Sequence, residues 1–232
     1  MSQLKNIKIN TPTYREIIPS NKTEVKITPF KVGDEKVLLL ASESKDVAQM
    51  VDGLKSVISN CVDGIDVNEL ASFDVEYLFL KIRAVSVGET ADIMMTCPEC
   101  ETANEVKVDL TKVELRGLEE FKTNIKITDD LMFKMKTPDI DSFSKAENNP
   151  DSIINFIAGN VEKVFYGEET IDVGLNEIPD VEGIINQLTS VQFADLQNYV
   201  LKIPKVSYDT EYTCKHCGTE NKNTLEGLSD FF

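Results

Sequence analysis

The period of the apolar positions changes several times along the chain. Val47, Met50, Val51, Leu54, Val57, Ile58 and Cys61 have the spacing of one helix face. That stripe predicts a buried Cys61, because an unpaired cysteine behaves as a small hydrophobe. "CVDGIDV" breaks the helix, and "SFDVEYLFLKIRAVSVGE" starts another. Here Val75, Leu78, Phe79, Ile82 and Val85 form the stripe, with Ser72 or Asp74 as N-cap and Gly88 as the stop. Tyr77 and Leu80 add apolar surface beside it. A helix apolar on more than one face is deeply buried or meets a partner. Elsewhere the period is two. "TYREIIP" and "TEVKITPF" flank the turn-like "SNK" and predict a β-hairpin. "ADIMMTCPECETANEVKVDL" reads as two strands joined at CPEC, with Val106, Val108 and Leu110 alternating. A shorter β segment follows at "NIKITDDLMFKMKTP", where "TDD" marks the turn.

Residues 138–204 read as mainly helical. Pro138 suits a helix start. Ile153, Ile154, Ile157, Val161 and Val164 repeat at helical spacing, and two further helices meet near Ser190, the second ending before Pro204. The chain returns to β in "KVSYDTEYTCKHCGTENKNTL" and ends in "GLSDFF", which exposes Phe231 and Phe232 unless it docks. The pattern predicts an α+β fold. Residues 1–30 form an N-terminal β-hairpin and residues 31–90 a helical block. Residues 91–117 join 205–232 in a split zinc-ribbon-like β unit, and residues 118–204 are an inserted, mostly helical segment.

Chemistry enters through an echo. "TCPECET" at 96–102 returns as "TCKHCGT" at 213–219. A Cys-x-x-Cys at a tight turn points both sulfurs to one side of a hairpin. Two such knuckles face to face give the tetrahedral thiolate cage that Zn²⁺ prefers. The expected ligands of one structural zinc are Cys97, Cys100, Cys214 and Cys217. Pro98 suits the turn after the first ligand, and Gly218 follows the last, where a left-handed backbone is often needed. Glu101 holds the equivalent place in the first knuckle and departs from that pattern. About 113 residues separate the knuckles, against ~15–20 in a compact ribbon. Closing so long a loop costs roughly 4 kcal/mol, and a structural zinc site supplies ~10–16 kcal/mol. A metal can therefore clamp the base of the insertion. A thioredoxin-type redox motif would need a strand-to-helix junction, whereas these flanks are β. An iron–sulfur cluster also takes four thiolates.

Four thiolates leave no open coordination position for catalysis. The single histidine, His216, lies inside the second knuckle and is expected to point outward. HExxH, GxxxxGK[ST] and GxGxxG do not occur. The expectation is a protein that is not an enzyme and takes no small-molecule substrate. The net charge of −16, from 40 acidic and 24 basic residues, disfavours nucleic acid. No apolar run approaches the ~20 residues of a membrane span, and "MSQLKNIKIN" has no secretory h-region. Folding in a cytoplasm is expected.

"PFKVGDEKVLLLASES", followed by "FDVEYLFLKIRAVSVGE", resembles the baseplate hub protein family of T-even-type contractile-tailed bacteriophages. So does the later order of CPEC, a β-then-α middle, CKHCG and "GLSDFF". The resemblance covers nearly the whole chain and is most specific from Lys36 to Glu89. It implies a hub component or an assembly factor, working in the host cytoplasm during tail assembly or staying in the virion, with hub or tail proteins as partners. Candidate partner contacts are Tyr77 and Leu80 on the helix and the terminal Phe231 and Phe232. A zinc-ribbon regulator that binds RNA polymerase or nucleic acid is the alternative. It would place a basic or aromatic strip beside the knuckles, where Glu99, Glu101, Asp209, Glu211 and Glu220 stand instead.

Overall fold

The computed structural model describes residues 9–44, 46–144 and 150–231. Strands β1 (Tyr14–Ile17) and β2 (Glu24–Ile27) form the expected hairpin, and β3 (Val62–Asp63) pairs with β2 as a third strand. Between them lie helices α1 (Val32–Ser44) and α2 (Val47–Cys61). The α2 stripe packs against this sheet through Leu54, Val57, Ile58 and Cys61. Fully burying an aliphatic side chain of this kind contributes about 1.5–3 kcal/mol. Cys61 is buried as its position on the stripe predicts, and burial pushes its thiol up to about 11. Helix α1 rests on α2 at close range: a Cβ on Gly53 would stand 3.0 Å from that of Ala41.

Helix α3 (Ser72–Ser86) is the central strut. Its apolar residues face three clusters. Val75, Leu78, Phe79 and Ile82 belong to the first, Phe73 to the second, and Leu80 and Ala84 to the third. That explains why the helix is apolar on more than one face. Its start differs from the expectation. Ala71 holds the cap position without a side-chain bond, so neither Ser72 nor Asp74 is the N-cap. Asp74 turns inward and accepts hydrogen bonds from the backbone N–H and hydroxyl of Ser20, tying the first hairpin's turn to the helix. Burial raises its carboxyl above the ordinary range.

The third cluster lies under two hairpins. One is β4 (Thr90–Thr96) with β5 (Ala103–Asp109), and the other is β11 (Lys205–Thr213) with β12 (Glu220–Glu226). Strand β6 (Glu114–Arg116) adds to β11. Between them the chain forms a four-stranded antiparallel sheet in the order β10-β9-β8-β7. Its strands are β7 (Asn124–Lys126), β8 (Leu131–Met135), β9 (Val161–Tyr166) and β10 (Glu169–Asp172). Helices α5 (Pro150–Gly159), α6 (Ile178–Ile185) and α7 (Ser190–Leu201) share the second cluster with this sheet, whereas α4 (Ile140–Ser144) puts Ile140 into the first. Helix α7 starts at Ser190 and ends before Pro204, as the sequence pattern predicts, and Thr189 caps it.

Val161 and Val164 are strand residues, not the continuation of a helix. Helix α5 ends at Gly159, and the Asn160 side chain closes it by donating to the Phe156 carbonyl. A β-bulge then intervenes, since Met135 pairs with Val161 while Lys134 pairs with Lys163. The extra residue puts Val161 and Val164 on the same buried side at a spacing of three, which mimics a helical repeat. No helix among the described residues is long and apolar enough to cross a membrane.

Candidate metal centre

The two knuckles are the same loop built twice. Each closes a hairpin: Thr96 pairs with Ala103 and Thr213 with Glu220. In the first, Cys97 N–H donates to the Thr102 carbonyl at 3.0 Å and Glu101 N–H to the Cys97 carbonyl at 2.9 Å. In the second, Cys214 N–H donates to Thr219 at 2.8 Å and Gly218 N–H to Cys214 at 3.0 Å. Both loops need a left-handed residue after the second cysteine. Gly218 takes it at φ 74° and Glu101 at φ 56°. The backbone demand is therefore met in both knuckles, and Glu101 meets it at a steric cost that glycine avoids.

The knuckles meet tip to tip. The Sγ atoms of Cys97, Cys100, Cys214 and Cys217 all lie within 4.8 Å of one another. Cys97 Sγ stands 3.7 Å from Cys217 Sγ, and Cys100 Sγ 3.6 Å from Cys214 Sγ. Four sulfurs at ~2.3 Å from a tetrahedral Zn²⁺ would be about 3.8 Å apart. A disulfide would need ~2.05 Å, and all four cysteines are free. The set could hold one metal ion. His216 is exposed and stands outside the sulfur cluster, as expected.

Electrostatics set Cys100 apart from Cys214 and Cys217. Backbone N–H groups of Cys217 and His216, helped by Asn104, pull Cys214 down to about 6. Thr219 lowers Cys217. Thr102 bonds also lower Cys100, but burial and the neighbouring sulfurs of Cys217 and Cys214 outweigh them and push it up to about 11. Crowded thiols cannot all ionise side by side, and a divalent cation among them would let all four be thiolates.

Two site residues escape a reading based on cysteine spacing alone. Asn104 and Asn221 are both buried beside the sulfurs. Asn104 Nδ2 is 3.5 Å from Cys214 Sγ, and Asn221 Nδ2 is 3.8 Å from Cys97 Sγ, so each asparagine reaches the opposite knuckle. The available signal was the length of the echo, which runs on as T-C-x-x-C-x-T-x-N through residues 96–104 and 213–221.

The candidate partner residues behave differently. Leu80 and Phe231 are 0% and 1% exposed and belong to the third cluster, so their side chains offer no surface to a partner. Tyr77 is half-buried beside Lys81, whose Nζ lies 5.1 Å from the ring centroid, and its hydroxyl lies 3.4 Å from Glu16. Phe232 lies outside the described residues. The larger apolar exposure is on helices α1 and α2, where Val32, Leu39, Leu40, Val47 and Met50 are each about half exposed or more.

A family model described as T4 bacteriophage base plate protein matches residues 11–232. No curated protein and no solved structure matches the chain.

Proposed function

The chain belongs to the T4 bacteriophage base plate protein family, and from that membership we propose that it is a component or assembly factor of the baseplate hub. It works by protein–protein contact rather than catalysis, in the host cytoplasm during tail assembly and in the tail itself if it is retained. The match across residues 11–232 carries this reading. The four cysteines hold one structural zinc that clamps the ends of the segment between the knuckles, so residues 118–204 behave as an insertion into a split ribbon. Support comes from the sulfur spacing and from the lack of an open ligand position in a four-thiolate set.

The partner surface we assign is the outer face of the α1–α2 hairpin. The α2 stripe runs past the core, leaving Val47 and Met50 uncovered, and Leu39 and Leu40 of α1 are exposed nearby in the sequence. Exposed apolar patches of this kind mark interaction sites. Glu35, Glu43 and Asp46 are exposed among these residues, as are Lys31 and Lys36, so the rim carries both signs of charge. The occupant is thus a hub protein that presents an apolar surface. Along the second hairpin, Arg116, Lys205 and Lys222 are engaged by Asp209, Glu226 and Glu211, which supports protein contact over nucleic acid.

Co-expression of the tagged chain with the other baseplate proteins of its phage tests this. The expected result is co-purification of an identified hub protein, lost in the Leu39→Glu/Leu40→Glu variant. Undiminished co-purification by that variant would overturn the surface assignment. Recovery of RNA polymerase in place of hub proteins would overturn the function.

A further inference from the structure

We infer that Asn104 and Asn221 are positioning residues that brace the metal centre from outside the four sulfurs, each across the gap to the opposite knuckle, and that Asn104 is the stronger brace. The inference rests on the reading of the four cysteines as metal ligands. It goes further by assigning the second layer of the site and ranking its two members.

Asn104 makes three polar contacts. Its Nδ2 donates to the Thr102 carbonyl of its own knuckle at 2.8 Å and to Cys214 Sγ at 3.5 Å. Its Oδ1 accepts from the Lys215 backbone N–H at 2.9 Å. The Lys215 bond fixes the amide's orientation, because only the oxygen can face a donor. The side chain is 2% exposed, so these bonds face no competition from bulk water. Donation to a thiolate stabilises the sulfur lone pairs, and the bond to Lys215 anchors the second knuckle to the first hairpin.

Asn221 repeats the arrangement with one bond missing. Its Nδ2 donates to the Thr219 carbonyl at 3.1 Å and lies 3.8 Å from Cys97 Sγ, while its Oδ1 is 3.9 Å from the same sulfur. The counterpart of Lys215 in the first knuckle is Pro98, which has no backbone N–H. The bond that locks Asn104 therefore cannot form for Asn221. Its amide nitrogen and oxygen stand almost equally far from the sulfur, and farther than Asn104 Nδ2 stands from Cys214 Sγ.

The ranking gives a direct test on the full chain. Zinc affinity is measured by competition with a chromophoric chelator, and the cobalt(II) form is followed by its sulfur-to-metal charge-transfer bands. Outer-layer variants typically cost 10–100-fold in affinity. Asn104→Ala is expected to weaken zinc within that range and to move the cobalt band to longer wavelength, as a thiolate loses its donor. Asn221→Ala is expected to do less on both readouts. Asn104→Asp keeps an acceptor for Lys215 but not the donor to sulfur, so it should keep the band shift. Pro98→Lys supplies the missing N–H, needs no loss of packing, and should make a subsequent Asn221→Ala more costly than in the native background. A loaded native chain whose asparagine variants match it in affinity and spectrum overturns this inference alone, as does a larger loss from Asn221→Ala. A native chain that takes up neither zinc nor cobalt overturns the metal reading, and this inference with it.

Discussion

The first and second knuckles share a backbone but not a set of side chains. Both close a hairpin in the same register, both turn through a left-handed residue, and both send two sulfurs to the common centre. They differ where one has Pro98 and Glu101 and the other Lys215 and Gly218. The second hairpin also gains a third strand through β6. The shared hairpin register therefore sets the loop backbone, while the residues between the cysteines decide how comfortably each loop adopts it. On this account the second knuckle is the relaxed half of the clasp and the first the strained half.

Removing a ligand should erase that distinction. Cys97→Ser and Cys214→Ser are both expected to abolish tight zinc binding and to lower stability by several kcal/mol, since a structural zinc is worth ~10–16 kcal/mol. Thermal denaturation with and without chelator checks this. Native chain plus chelator should melt like either variant, and a difference between the two serines would show that the halves do not act as one site.

Much of this site was legible in the sequence, and the reasons are physical. Paired Cys-x-x-Cys motifs have few uses, so two of them on β flanks pointed to one cage despite their separation. The strands around them alternate cleanly because each has one buried face, as in Ile93, Met95, Val106 and Val108. Val161 and Val164 misled because a β-bulge gave a strand a spacing of three. Asp74 looked like a cap because an acid early in a helix usually is one, and only tertiary structure shows its bond to Ser20. Leu80 and Phe231 could not be divided between core and interface by pattern, because burial against a third cluster and burial against a partner leave the same apolar signature.

The left-handed position gives the next largest effect. Gly218→Ala should cost about 1–2 kcal/mol, the penalty of a Cβ in that conformation. Glu101→Gly should stabilise the chain by roughly 0.5–1 kcal/mol, as relief of that strain exceeds the entropy glycine adds to the unfolded state. Denaturant titration of the metal-loaded chain measures both. A destabilised Glu101→Gly would contradict the assignment of strain to the first knuckle.

The smallest effect belongs to the second hairpin's added strand. Arg116 forks onto Asp209 with bonds of 3.0 and 2.8 Å and, with Thr224, holds that carboxyl down to about 2. A depressed carboxyl pKa contributes stability above its ordinary value of 3.8 and loses it as pH falls toward about 2. Both groups are open to solvent, so Arg116→Ala is expected to lower Tm only slightly near neutral pH. High salt should erase that fall, and it should be largely lost as pH falls to about 2. A large fall would mean that β6 is part of the clasp.

We propose that four cysteines from two distant hairpins hold one zinc ion. Elemental analysis of the purified chain, paired with thiol titration of the native protein, tests it most directly. The expected result is close to one zinc per chain, with Cys97, Cys100, Cys214 and Cys217 resistant to iodoacetamide until a chelator is added. A folded, metal-free chain whose four thiols react at once would contradict it.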